Sequence, residues 1–319
     1  MDEVLDDVEV QQLGSLGCGT AYVTNREDAS VSVIDLNRAQ EVTRIPVGTR
    51  PQAIAASPDK RFVYVTNFND ATLSVINTLT NTVVDTVGLN VGAFAAEGPT
   101  GVAVTPDGRF VYVANIQSDN LSVVDARRLA VVTTVPMSAP PADLRITADG
   151  NLAYVTMGVG AIGFIGVVDL NTNLQVKAIS ICSNRTGIDI APRMPLAYQA
   201  CTFPVGRLHA VNTDLAEPSA ESIITNLPPD QIAFNPEGTL AYVTQLDGSR
   251  LWVVDVFRHA VRLTIPVGGG SSGVKVSDNG LLVVVANLDD NTVSIVDART
   301  NTVAATVPVG SSPFRVAIV

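Results

Sequence analysis

One motif recurs seven times along the chain: Ala21-Tyr22-Val23-Thr24-Asn25, Val63-Tyr64-Val65-Thr66-Asn67, Val111-Tyr112-Val113-Ala114-Asn115, Ala153-Tyr154-Val155-Thr156-Met157, Ala197-Tyr198-Gln199-Ala200-Cys201, Ala241-Tyr242-Val243-Thr244-Gln245 and Val283-Val284-Val285-Ala286-Asn287. Successive copies lie 42 to 48 residues apart, the period of propeller blades rather than of helical repeats. Each copy is expected to be one four-stranded blade. In the second unit, Gln52 to Ala56 reads as a short apolar strand, Ser57-Pro58-Asp59-Lys60 as a tight turn and Phe62 to Asn67 as a second strand, with Leu73 to Asn77 and Thr82 to Val87 as the third and fourth. Such runs of Val, Ile, Thr and Tyr, bounded by Pro, Gly, Asn and Asp, carry no helical periodicity. The fold class expected is all-β.

The ends of the chain complete one another. The first unit begins at its second strand, and the terminal Pro313-Phe314-Arg315-Val316-Ala317-Ile318-Val319 matches the missing first strand. The expectation is a seven-bladed β-propeller closed by the C-terminal strand pairing with the N-terminal blade, which leaves no open sheet edge. Residues 19–319 then form one propeller, although a length of 319 residues would otherwise suggest two domains. Residues 1–18 read as a flexible acidic arm: Met1 to Gln12 carries Asp2, Glu3, Asp6, Asp7 and Glu9 without a single basic residue, the reverse of a secretory signal's opening.

Composition excludes several partners. Asp and Glu outnumber Lys and Arg by 31 to 20, a net charge of −11, which leaves no general electrostatic footing for duplex DNA. The longest apolar stretches, such as Leu281 to Ala286, are far short of the roughly 20 residues of a membrane-spanning helix. A monomer without a membrane span is expected.

The Tyr-Val-Thr-Asn motif, the third strands Ser32 to Asp35, Ser122 to Asp125 and Ser294 to Asp297, and the endings Ile45 to Gly48 and Ile265 to Gly268 resemble the YVTN-repeat seven-bladed β-propeller family over residues 19–319. The resemblance implies the propeller fold and, because many such proteins are exported, a periplasmic or extracellular location. It does not imply one activity, since surface-layer, periplasmic and nucleic-acid-binding proteins share this fold with relatives of lactonases and lyases. The fifth unit departs from the motif, with Gln199-Ala200-Cys201 in place of Val-Thr-Asn.

Site candidates are residues that break the repeat, because blade packing does not demand them. Two residues before the inner-strand turn the series runs Ala55, Ala103, Arg145, Asp189, Ala233, Lys275 and Ala317; two residues earlier it runs Ala53, Gly101, Asp143, Gly187, Gln231, Gly273 and Arg315. Inner strands line the central channel. Asp143, Arg145, Asp189, Gln231, Lys275 and Arg315 should therefore face one another along one arc, opposite a bare arc on the second and third blades. Charges there must be paired or bind something. One reading is a set of ion pairs around channel water. The other is a pocket for an anion or carbonyl walled by Arg145, Lys275 and Arg315, with Asp189 as base. Phe94, in the long connection Gly88 to Gly98, Phe164, in the segment after Met157, and Phe203, in Thr202 to Gly206, are further ligand-binding candidates in apolar loops on one face. The recurrent acids Asp28, Asp70, Asp119, Asp247 and Asp289 read as turn formers rather than a metal ring.

Of the three cysteines, Cys182 and Cys201 fall at the same end of adjacent strands, either as a disulfide or as two free thiols; Cys18 has no obvious mate. The two histidines, His209 and His259, cannot supply a metal cluster, a haem ligand pair or a Ser-His-Asp triad. No Walker loop, dinucleotide fingerprint or Cys-x-x-Cys occurs, and no cofactor is expected. Three functional readings follow: a binding propeller that recognises a protein partner or small ligand at the loop-rich channel mouth; an enzyme of the lyase, lactonase or cyclase kind using Arg145, Asp189 and Lys275; and a subunit that docks a redox protein.

Overall fold

The computed structural model describes residues 19–89, 98–159, 162–181, 187–202, 206–214, 217–225, 227–245 and 248–319. The expected arm 1–18, Phe94, Cys182 and Phe203 lie outside the described residues.

Seven four-stranded antiparallel sheets make up the chain. Blade one pairs the C-terminal strand Pro313–Ile318 with Thr20–Asn25, then Ser30–Asp35 and Gln40–Pro46. The ring is thus closed by non-covalent pairing of the two ends of the propeller, Tyr22 opposite Ala317 and Val23 opposite Val316. The inner strands of blades two to seven are Pro51–Ala56, Pro99–Val104, Pro141–Ile146, Ile188–Ile190, Pro229–Phe234 and Ser271–Val276. Among the described residues there is no helix.

The core consists of slabs between neighbouring blades. Outside the lengthened hairpin of blade four, Val and Ile of the second and third strands are buried, whereas the outer strand Gln40–Pro46 is exposed at five of its seven residues and buries only Ile45, as an edge strand facing solvent does. The recurrent motif supplies the stitching. Its tyrosines reach into the next blade: Tyr22 Oη donates to Asn81 Oδ1 at 2.5 Å, Tyr112 to Asn173 Oδ1 at 2.7 Å and Tyr154 to the Thr213 carbonyl at 2.6 Å. Burial pushes these three phenols up to about 12. The motif asparagines work within a blade. Asn67 Nδ2 donates to Thr72 Oγ1 and Ser74 Oγ, and Asn25, Asn115 and Asn287 repeat this pattern.

The motif threonine fills a defect. The inner strand slips register against its neighbour near its start, for instance between Pro141 and Asp143, and the amide freed by the bulge donates to the threonine hydroxyl: Ala53 to Thr66, Asp143 to Thr156, Gln231 to Thr244 and Arg315 to Thr24, at 2.9 to 3.1 Å. The hydroxyls of Thr24, Thr66 and Thr244 in turn donate to the next blade's Gln52, Thr100 and Ser272 carbonyls.

Two expectations need correction. The segment after Met157 is no loop: Gly158 pairs with Gly163 and Val159 with Ile162, so blade four carries a hairpin two residues longer than its neighbours. The pairing removes the backbone groups from solvent and takes Phe164 with it. Phe164 is half-buried against the core cluster shared by blades three and four and does not line the channel, while Ile162 at the hairpin tip is 59% exposed.

Candidate ligand-binding channel

The inner strands surround a channel of about 500 Å³. Numbered from its first residue, a six-residue inner strand turns its third and fifth side chains toward the axis, and the bulge lets the second contribute as well; the three-residue strand of blade five presents Asp189, its second residue. Blades two and three present Ala53, Ala55, Thr100 and Ala103. Blades four to seven and one present Asp143, Arg145, Asp189, Gln231, Lys275 and Arg315. The expected ionic arc is found in the lining, whereas the arc expected to be bare carries Gln52, Lys60 and Thr100 beside its alanines.

The ionic arc divides into two networks. In the first, Arg145 Nη1 donates to Asp143 Oδ1 at 2.9 Å and Arg145 Nε to Asp189 Oδ1 at 3.3 Å. Burial opposes the Arg145 charge, but the two carboxylates outweigh it and push its pKa up. Asp189 Oδ2 accepts from the Phe234 amide of blade six at 3.0 Å, so both oxygens of the candidate base are engaged. In the second network, Arg315 crosses from blade one, donating through Nη1 to Ser272 Oγ of blade seven at 2.8 Å and to Asp230 Oδ2 of blade six at 3.3 Å. With its amide in the orientation that satisfies its neighbours, Gln231 accepts from Arg315 Nη2 at 2.9 Å and from the Gly187 amide at 3.2 Å. Lys275 lines the channel but joins neither network: among the described residues no carboxylate lies within 4.0 Å of its ammonium group, and the side chain is exposed. The proposed trio therefore meets only as the Arg145–Asp189 pair.

Sequence reasoning missed several groups. Asp230, Ser272 and Phe314 occupy the second place of the inner strand, which a strict two-residue alternation turns away from the axis; the bulge brings them into play. At the turn end of the channel Lys60 of blade two meets Asp278 of blade seven at 2.5 Å, spanning blade one. Two of the recurrent acids act at loops, Asp28 Oδ2 accepting from the Ser311 amide and Asp70 Oδ2 from the Thr49 amide; in blade seven the corresponding bond, from the Gly269 amide, goes to Asp290 rather than to Asp289. Asp247 lies outside the described residues. His259 is a turn residue at φ +46 whose Nδ1 meets Tyr198 Oη at 2.8 Å. Cys201 is disulfide-bonded.

A family described as Cytochrome D1 heme domain matches residues 19–148, that is three strands of blade one, blades two and three, and the inner strand of blade four. Curated proteins gave no match. Among solved structures, Kuenenia stuttgartiensis hydrazine synthase is similar with a TM-score of 0.76 and 19% identity, covering 88% of this chain and 92% of that one. A dihydro-heme d1 dehydrogenase NirN in complex with DHE gives a TM-score of 0.69 at 16% identity over 94% of this chain and 75% of that one. A functionally unknown protein from Desulfotomaculum acetoxidans DSM 771 gives 0.79 at 15% identity over 94% and 98%. At these identities the likeness shows the seven-bladed fold.

The family description raises the question of a haem. Haem iron takes its axial protein ligand from His, Cys, Met or Tyr, and none of these types lines the channel among the described residues. His209 sits in the third strand of blade five, where burial and then Arg207 push its pKa down. His259 is tied to Tyr198, and Met137 and Met157 are packed in the core between blades three and four. The residues present do not fit a channel haem ligated by this chain, and no chemistry is derived through one.

Proposed function

We propose that the protein is a binding propeller that recognises a small ligand at the channel mouth, on the face where outer strands return to inner ones. The observation that carries this reading is the state of Asp189: one oxygen is held by Arg145 and the other by the Phe234 amide, so protein groups on the two neighbouring blades balance its charge and fix its orientation, the arrangement of a structural ion pair. Arg145 is likewise neutralised by two carboxylates, Asp143 and Asp189. The ionic arc is then a rigid frame, and the alanine-lined arc opposite is the room left for a guest. The seven motif copies support membership of the YVTN-repeat family, and the disulfide at Cys201 supports residence outside the reducing cytosol.

The test is to assay wild-type protein, Arg145→Ala, Asp189→Asn and Lys275→Ala against lactone and uronic-acid-containing substrates, with melting temperature as the fold control. No turnover is expected from the wild type, with Arg145→Ala destabilised because it leaves two carboxylates facing each other. A wild-type turnover abolished in all three variants while they melt normally would overturn the binding reading.

A further inference from the structure

The channel mouth carries two cations that the ionic arc does not neutralise, Arg26 and Arg50, beside a third that it does, Arg315. Arg26 follows the second strand of blade one, Arg50 immediately precedes the inner strand of blade two at φ +54, and Arg315 lies in the inner strand of blade one. The Arg315 and Arg26 guanidiniums stand over the same Phe314 ring, their Cζ atoms 3.9 and 4.3 Å from its centroid. Arg50 stands over Phe68 at 5.0 Å. Phe314 and Arg315 line the channel.

These cations crowd one another. Burial, then Arg50, then Arg315 push the Arg26 pKa down, against weaker support from Glu27 and Asp230. Arg315 is answered by Asp230. Arg26 and Arg50 are not: among the described residues no carboxylate comes within 4.0 Å of either, and Arg26 Nε is a buried donor without a hydrogen-bond partner. A desolvated, unpartnered donor inside a cluster of like charges is unfavourable unless something of opposite sign completes it, and in a chain of net charge −11 this concentration of positive charge is local. Guanidinium groups match the geometry of carboxylate and phosphoryl oxygens. The wall continuing from the cluster into the channel is apolar and small: Ala53, Ala55 and Ala103.

We propose that Arg26, Arg50 and Arg315 form an oxyanion clamp, and that the ligand is a small amphiphilic anion whose carboxylate or phosphoryl head lies against the guanidiniums while its apolar body lies along the alanine arc. The clamp deepens the binding function proposed above and rests on it. Phe314 and Phe68 hold the guanidinium planes, so the clamp is formed before the ligand arrives.

Calorimetric titration with hexanoate, hexyl phosphate and hexan-1-ol tests it on wild-type protein, Arg26→Ala, Arg50→Gln and Ala55→Phe, with melting temperature as the fold control. Both anions should bind the wild type about tenfold or more tightly than the alcohol, and each arginine variant should lose about tenfold for the anions alone. Anion affinity should fall as ionic strength rises. The stronger of the two anions identifies the head group, and either preference supports the clamp. Arg50 is exposed, so Arg50→Gln keeps the test valid even where Arg26→Ala folds poorly. Equal binding of all three probes, anion binding indifferent to Arg50→Gln, or no binding of any probe to wild type overturns the clamp. Ala55→Phe separates the two claims: anion binding lost in Ala55→Phe but untouched by the arginine variants leaves the channel as the binding site without the clamp, whereas probe binding indifferent to Ala55→Phe removes the channel as well.

Discussion

At the scale of single residues, the third place of the inner strand and the fourth place of the motif are coupled. Blades one, two, four and six have a motif threonine and a side chain at the third place: Thr24 with Arg315, Thr66 with Ala53, Thr156 with Asp143 and Thr244 with Gln231. Blades three, five and seven have alanine in the motif, Ala114, Ala200 and Ala286, and glycine opposite, Gly101, Gly187 and Gly273. A Cβ on Gly101, Gly187 or Gly273 would fall 2.4 to 2.8 Å from backbone oxygens of the following inner strand, beside Asp143, Gln231 and Arg315. Glycine in one blade therefore makes room for the functional side chain of the next. Gly273→Ala should cost about 1–3 kcal/mol by overpacking against rigid backbone, and Gly88→Ala, where a Cβ meets nothing within 4 Å, should stay near neutral; equal urea midpoints for the two variants would refute the account. The third- and fifth-place series was legible because seven copies align on their own turns. Arg26 and Arg50 were not, because their significance arises only where two connecting segments fold beside Phe314, a juxtaposition with no spacing signature. Lys275 shows the opposite failure: its place in the series was right, but the channel carboxylates Asp143, Asp189 and Asp230 are paired with Arg145 and Arg315.

At the scale of strands, regularity follows the motif and departs with it. Blade four, whose motif ends in Met157 rather than asparagine, has the lengthened hairpin. Blade five, where Gln199-Ala200-Cys201 replaces Val-Thr-Asn, has an inner strand of only three residues, Ile188–Ile190. Gln199 is fully buried with both amide atoms unpartnered, and His209, its cross-strand neighbour, has an unpartnered Nδ1. The closing strand was legible for a simpler reason, since its pattern has no other blade to join. Val316, Ala317 and Ile318 are buried between blades one, two and seven. Removing residues 313–319 exposes that apolar surface, about 1.5–3 kcal/mol for each large side chain, and deletes Arg315 with the amide that donates to the Thr24 hydroxyl. The truncated chain should lose several kcal/mol and unfold at markedly lower temperature, and an unchanged melting curve by circular dichroism would contradict closure through this strand.

For the whole molecule, the ring repeats its turns as faithfully as its strands, and this gives it a shared acid response. In three blades a hydroxyl on the first residue of the inner turn and the amide two residues beyond the acid both donate to one aspartate: Ser57 and Arg61 to Asp59, Thr105 and Arg109 to Asp107, and Thr147 and Asn151 to Asp149. These bonds hold all three carboxyls below their ordinary value of 3.8, the side-chain hydroxyl contributing most. Asp125, Asp255 and Asp297 are lowered in the outer turns, the first two chiefly by backbone amides and Asp297 chiefly by the Arg299 side chain. A carboxyl whose folded pKa is depressed adds stability that is present above its unfolded pKa and is lost as pH falls through the folded value. His209 acts in the same direction from a higher pH. Burial keeps it neutral in the fold, so protonation below its ordinary 6.5 favours the unfolded chain. The melting temperature should therefore be level between about pH 7 and pH 9, decline slightly as His209 becomes protonatable, and fall steeply below about pH 4, while above about pH 10 ionisation of the buried tyrosines in the unfolded chain lowers it again. Converting Asp59, Asp107 and Asp149 together to asparagine should lower the neutral-pH melting temperature while flattening the acid limb. If the triple variant and the wild type keep a constant separation from pH 7 to pH 3, the inner turns are not where the ring senses acid.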